Sequence, residues 1–182
     1  MQKIQTYSRY IRFVLLMLLV ITPIANLYFW LMVQSEYDFL TSMGIIQLGF
    51  DISAFTQEPL TLSARLWAFA ASMVPCGILM YAFSILARLF KCYEKAEVFT
   101  LDTVKYFNNL GRVFFLWAFG NVIYSGLISV ALSFNNPPGE RILAITFAGL
   151  DLMSIFCGFI VLTIAWVMKE AQQLADEHQH TI

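Results

Sequence analysis

Charge is what this chain has least of. Asp, Glu, Lys and Arg make up only 13% of its 182 residues, while hydrophobic residues make up 59%. That is about half the roughly 25% charged share of soluble domains, so an ordinary water-facing surface is excluded. Histidine is nearly absent as well: His178 and His180 are the only two, both in a polar tail. An H-x-H pair at a chain end is a weak metal site, and no metal is expected. The three cysteines, Cys76, Cys92 and Cys157, have no paired spacing, which excludes a disulfide framework or zinc knuckle and leaves them as reduced packing residues. Also missing are a phosphate-binding glycine loop, a zinc-protease helix motif and a serine elbow, so neither an enzyme nor a cofactor is expected. No linker rich in Pro, Gly or Ser divides the chain, which reads as one domain. A net charge of −1 gives no reason to expect direct contact with nucleic acid.

What the chain does have is long oily runs. Four of them predict an all-α polytopic membrane protein, a bundle of four transmembrane helices over about residues 13–32, 66–90, 113–134 and 142–168. The first follows Lys3, Arg9 and Arg12 and lacks a cleavage site of the A-x-A kind, so it reads as a signal anchor rather than a removable leader. Pro23 and Asn26 interrupt it in its outer half, and Tyr28, Phe29 and Trp30 fall where an aromatic belt would sit. Pro75 is placed to kink the second run. The turn Asn135, Asn136, Pro137, Pro138, Gly139 separates the third from the fourth.

Orientation follows from where the bases lie. With four spans, Lys3, Arg9, Arg12, Arg88, Lys91, Lys95, Lys105, Arg112 and Lys169 fall on one side, leaving Arg65 and Arg141 of the 11 bases on the other. Nine against two places both termini in the cytoplasm of an inner membrane. The 33–65 segment is then exterior and carries Glu36, Asp38, Asp51 and Glu58. Its apolar residues Phe39, Leu40, Met43, Ile45, Ile46, Phe50, Ile52 and Phe55 predict short elements that either cap the helix ends or form a ligand-sensing face.

The 91–112 loop carries the strongest local signals. The second helix is expected to run on to Lys95 and break at about 96–99, with Thr100 as N-cap of the next helix and Asp102 in its first turn. Arg88, Lys91, Lys95, Lys105 and Arg112 make the loop a candidate surface for anionic lipid headgroups or a cytoplasmic partner.

The run LARLFKCYEKAEVFT, then VKYFNNLGR and a tail ending LADEHQHTI, resembles the bacterial membrane family catalogued as domain of unknown function 2975. Phe99, Thr100, Gly111, Leu174, Thr181 and Ile182 match that family's pattern. Ala96 stands where the family has glycine, and the arginine expected near Asn109 is missing. The resemblance implies four spans and no established activity. Many members are encoded beside small helix-turn-helix regulators, which implies a cytoplasmic face that contacts such a regulator.

Inside the membrane, Asp151 is the costly residue. Counted from Ile142 it lies about nine residues into the fourth span, roughly 14 Å deep at 1.5 Å per residue. There an ionised carboxylate costs about 2.5–3.5 kcal/mol, so an uncharged acid facing protein is expected. Ala144, Ala148, Asp151, Ser154, Gly158 and Ala165 share its face. With Asn26, Asn121, Ser125 and Ser154 it forms a candidate intramembrane polar cluster, read either as a proton-sensitive or ligand site or as an interhelical hydrogen-bond clamp. The leading functional expectation is a regulatory or interaction protein. The alternative is a small proton-coupled transporter or channel using Asp151, which at this length would work as a homo-oligomer. A structural module without ligand is the third class.

Overall fold

The computed structural model describes residues 2–35, 43, 52–56, 59–97, 100–137, 139–147 and 149–180; the side chains of residues 2, 3, 150 and 174–180 are not among them. Four helices account for most of the described chain: α1 (Gln2–Met32), α2 (Leu62–Glu94), α3 (Leu101–Ser133) and α4 (Gly149–His180). One turn of 3-10 helix, Ile52–Ala54, lies between α1 and α2. No strand occurs among the described residues, and each of the four helices is long and apolar enough to cross a membrane. The architecture is the expected all-α four-span bundle protein. Lipid supplies no hydrogen bonds, so a helix that satisfies its own backbone is the element such sequences must form.

Helices α1, α2 and α3 start earlier than their apolar runs do. α1 begins at Gln2 and passes through Pro23 and Asn26 without a break. α2 likewise passes through Pro75. The fourth run differs most: helix starts at Gly149, and residues 141–147 are not helical. Ala144 therefore belongs to that segment and not to a helix face shared with Asp151.

Contacts divide the chain into two compact units. The first comprises Met1–Val20, Ile78–Phe119 and Ala148–Ile182; the second comprises Ile21–Gly77 and Gly120–Phe147.

In the first unit, α3 and α4 meet at glycines. A Cβ placed on Gly158 would lie 3.2 Å from the Gly111 carbonyl oxygen and 2.8 Å from Phe115 Cε2. One placed on Gly111 would lie 2.7 Å from Leu162 and 3.3 Å from the Gly158 carbonyl oxygen. Each glycine thus leaves the other's backbone room to touch it, the close approach that small residues permit between membrane helices. Phe115 and Phe159 pack edge to face beside this contact, centroids 5.1 Å apart. Ala165 is buried, as its place on that face predicts.

In the second unit the core is Phe29, Trp30, Val33, Ile52, Leu60, Ala64, Ala68, Ala71, Ile128, Ala131 and Leu132. Phe29 and Trp30 are therefore core residues, 3% and 1% exposed, and not belt residues; only Tyr28 of the three faces outward. Ile52 is buried and Phe55 packs against the same core, so residues 52–56 act as a packed cap. Phe39, Leu40, Ile45, Ile46 and Phe50 lie outside the described residues.

Candidate functional site

The α2–α3 connection in the first unit is built by complementary caps. At the end of α2, Glu97 N–H donates to the Cys92 carbonyl (3.0 Å) and Ala96 N–H to the Tyr93 carbonyl (3.1 Å). This is a Schellman ending, and it requires a left-handed residue at Ala96, whose φ is +61°. This is the position at which the resemblance drawn from the sequence implies glycine. Ala96 supplies the conformation against the steric preference of its own Cβ.

At the start of α3, Thr103 N–H donates to Thr100 Oγ1 (3.3 Å), so Thr100 is the N-cap expected from the sequence. Thr103 is fully buried, and its hydroxyl donates to the Glu97 carbonyl at 3.2 Å, tying the start of one helix to the end of the other. Around this turn Arg88, Lys91, Lys95, Lys105 and Arg112 are all exposed. Lys105 pairs with Asp102 at 3.1 Å, an exposed i, i+3 contact worth only a few tenths of a kcal/mol.

A second tie was not foreseen. Arg12 Nη1 donates to Glu94 Oε2 at 2.6 Å, joining α1 to the last residue of α2. The side chains are 34% and 16% exposed. Glu94 Oε1 is buried and accepts nothing among the described residues, so Arg12 is the one cation holding that carboxylate. The sequence signal was slight: a lone acid among the bases of the α2 terminus.

The residues of the proposed intramembrane cluster fall in both units. Asn26, Asn121 and Ser125 belong to the second unit, Asp151 and Ser154 to the first. Asp151 is 2% exposed and is the third residue of α4, so a depth counted along a helix from Ile142 does not apply to it. The premise of that count, helix from Ile142, is what fails. An acid in a first helical turn faces the positive end of the helix dipole and its unpaired N–H groups, a favourable setting for a carboxylate. Asn121, Asp151 and Ser154 are each engaged in interactions within the chain.

Asn26 has a well-defined environment in the second unit. Its Oδ1 accepts from Ser72 Oγ at 3.0 Å, and its Nδ2 contacts Met73 Sδ at 3.6 Å. The same Ser72 oxygen accepts Trp30 Nε1–H at 2.9 Å. Three polar groups on α1 and α2 thus satisfy one another inside an apolar core. Arg65 completes this junction by donating to the Leu31 carbonyl (2.6 Å) and the Trp30 carbonyl (3.4 Å), placing a cation at the C-terminus of α1.

Ser125 is the first rung of a ladder. Thr146 N–H donates to Ser125 Oγ, Ala144 N–H to Ser129 Oγ and Ile142 N–H to Ser133 Oγ, each at 3.0 Å. The three hydroxyls in turn donate to carbonyls of their own helix, those of Val122, Gly126 and Ser129, at 2.7–2.9 Å. Serines four apart on a helix rise about 6 Å. Alternate residues of an extended chain rise about 6.6 Å, so the two repeats stay in step over three rungs. Residues 142–146 run antiparallel to α3 and are held by it, which is why a hydrophobic run there need not be helix. Sequence reasoning singled out Ser125 alone; the spacing 125, 129, 133 was the signal for the other two.

Cys76, Cys92 and Cys157 are free thiols. Among the described residues no three His, Cys, Asp or Glu side chains gather as a metal site.

The model of the family described as Protein of unknown function (DUF2975) matches residues 52–182, and the chain belongs to that family. No curated protein and no solved structure matches it.

Proposed function

We propose that this multi-pass member of the DUF2975 family is an inner-membrane protein of regulatory or interaction type, with the capped α2–α3 turn as its docking element and both termini in the cytoplasm. The observation that carries the reading is the pairing of rigidity with charge. Five exposed cations surround a turn fastened by a Schellman ending, the Thr100 cap, the Thr103 to Glu97 bond and the Arg12–Glu94 pair. Preorganised charge costs little entropy to use, which favours an anionic partner surface over mere topological anchoring. The charge bias of nine bases to two supports the orientation. A cytoplasmic helix-turn-helix regulator is the partner class the family resemblance suggests, with the basic turn and the α4 tail as its contacts.

The test uses the full chain in nanodiscs, with Lys91, Lys95 and Lys105 changed to Glu as a set. A regulator encoded beside the gene binds the native protein, and the triple variant loses at least tenfold in affinity while keeping its helical content and melting temperature. Equal binding by both would refute the docking role. A reporter fused to the C-terminus that proved accessible from outside intact cells would refute the orientation.

The second reading, a small oligomeric proton-coupled transporter or channel, draws on the burial of Asp151. The first-turn position of Asp151 equally suits a structural role at the start of α4. Asp151→Asn separates them: loss of a pH-dependent flux in vesicles supports transport, whereas lower thermal stability without a flux defect supports the structural role.

A further inference from the structure

In the second unit, α2 and α3 leave a groove of about 470 Å3 between them, lined by Trp67, Ala70, Ala71, Leu127, Val130, Ala131 and Phe134. Its volume falls within the roughly 300–1,000 Å3 of small-molecule sites, yet no polar side chain lines it. The reason lies in the sequence. Ala70, Ala71 and Ala131 are too short to fill the space that Trp67, Leu127 and Phe134 wall in; Leu127, Val130 and Ala131 share one face of α3, and Phe134 follows just past its end at the same spacing. These four positions extend the trough for roughly 10 Å along the helix.

One charged group stands at its end. The Arg141 guanidinium carbon lies 5.3 Å from the centroid of the Phe134 ring, a cation stacked on the last residue of the trough. Among the described residues no ion pair or hydrogen bond occupies that guanidinium. Asn136, which could compete for nearby groups, is committed to the Phe55 and Glu140 carbonyls.

We infer that this groove is a binding site for one anionic phospholipid, with an acyl chain laid between α2 and α3 and its phosphate on Arg141. The bilayer supplies acyl chains at high local concentration, and a wholly apolar trough selects nothing else about them. Selectivity comes from the headgroup end: a zwitterionic lipid brings its own cation beside the phosphate and an anionic lipid does not, so one exposed base favours the anionic lipid by about fivefold. Arginine suits this role because its planar fork can hold a phosphate through two parallel hydrogen bonds while stacked on an aromatic ring.

Trp67 is a built-in reporter, since it lines the groove and is 64% exposed. The experiment uses the full chain with Trp117→Phe and Trp166→Phe, which leaves Trp67 and the buried Trp30. The protein is reconstituted into phosphatidylcholine vesicles containing a graded fraction of phosphatidylglycerol brominated on its acyl chains, or the same fraction of brominated phosphatidylcholine. The expected result is half-maximal quenching at about fivefold lower mole fraction of the anionic lipid. Arg141→Gln should bring the two curves together. Ala70→Phe, which fills the trough from an exposed position outside the core, should remove the preference and reduce quenching by both lipids. Equal quenching by the two lipids before any groove substitution would overturn the inference. So would a preference that survives both Arg141→Gln and Ala70→Phe. Absence of quenching by either lipid would mean that another part of the chain fills the groove, and would overturn it too.

Discussion

Where α3 meets α4 in the first unit, contact is made by two residues without side chains; where α3 meets residues 142–146 in the second, it is made by three hydroxyls. One helix thus uses two chemistries along its length. Two helices need nothing from each other's backbones, so their contact gains most by removing atoms and letting the surfaces close. An extended segment has unpaired N–H groups that lipid cannot satisfy, so its contact gains most by adding acceptors. The difference teaches that small residues on a membrane helix carry two messages, and that Gly and Ser should be read apart.

The comparison is broken most severely at the glycines. Gly158→Val places methyl groups where a bare Cβ already lies 3.2 Å from both the Gly111 carbonyl oxygen and Phe114 Cβ. Neither of those atoms is the tip of a flexible chain, so α3 and α4 must move apart. A loss of about 3 kcal/mol is expected, with Gly158→Ala losing less, as overpacking of a close contact does. Thermal unfolding in detergent reads both. If Gly158→Val were neutral, the close approach would be incidental to stability.

Next comes the middle rung of the ladder. Ser129→Ala leaves the Ala144 N–H without its acceptor at a serine that is fully buried. An unsatisfied buried donor costs about 1–3 kcal/mol, so a loss near 2 kcal/mol is expected. The sharper readout is hydrogen exchange. The Ala144 amide should exchange at least tenfold faster than in the native chain, while amides in the first unit keep their protection. Unchanged exchange at Ala144 would show that the rung does not hold the segment.

These two sites also mark how far the sequence could be read. Four apolar runs, the N-cap at Thr100 and the break after Lys95 were legible because each rests on a local rule: length against bilayer thickness, a hydroxyl ahead of a helix, a chain that must turn. The start of α4 was not. Hydropathy measures how oily residues 142–147 are, and that property is the same whether they are helical or extended. What decides the matter is a hydroxyl repeat on a different element, and a one-dimensional window cannot pair 125, 129 and 133 with 146, 144 and 142. The helical count applied to Asp151 followed directly from this. Phe29 and Trp30 were misread for a related reason. Position near a span end suggests an interfacial belt, while the Trp30 to Ser72 bond that draws the indole inward needs knowledge of which helix lies opposite.

The Arg12–Glu94 pair is a gentler probe of the first unit. Arg12→Gln keeps a donor but removes the only cation bonded to Glu94 among the described residues. A fully buried pair broken this way would cost several kcal/mol. With Arg12 about one-third exposed, solvent screens part of the loss, and about 1 kcal/mol is expected. Adding Glu94→Gln should recover some of it, because the stranded charge is then gone. A double-mutant cycle in detergent checks this, and strict additivity of the two changes would show that the ion pair contributes nothing.

The smallest effect has the opposite sign. Ala96 sits at φ +61° as the left-handed residue of the α2 ending. That conformation brings its Cβ too close to the following carbonyl, at roughly 1 kcal/mol or more. Glycine removes the clash, but a glycine also gives the unfolded chain more freedom to lose, roughly 0.5–1 kcal/mol. The steric term is the larger of the two, so Ala96→Gly should stabilise by about 0.5 kcal/mol and leave the Glu97 to Cys92 and Ala96 to Tyr93 bonds intact. The gain should appear as a small rise in melting temperature. It should also make the turn easier to distort, so partner affinity should fall slightly even as stability rises, if the rigidity of this turn is what prepares its cations for docking. A variant that rose in stability and in affinity together would separate the cap from the docking role and leave only the charges to explain it.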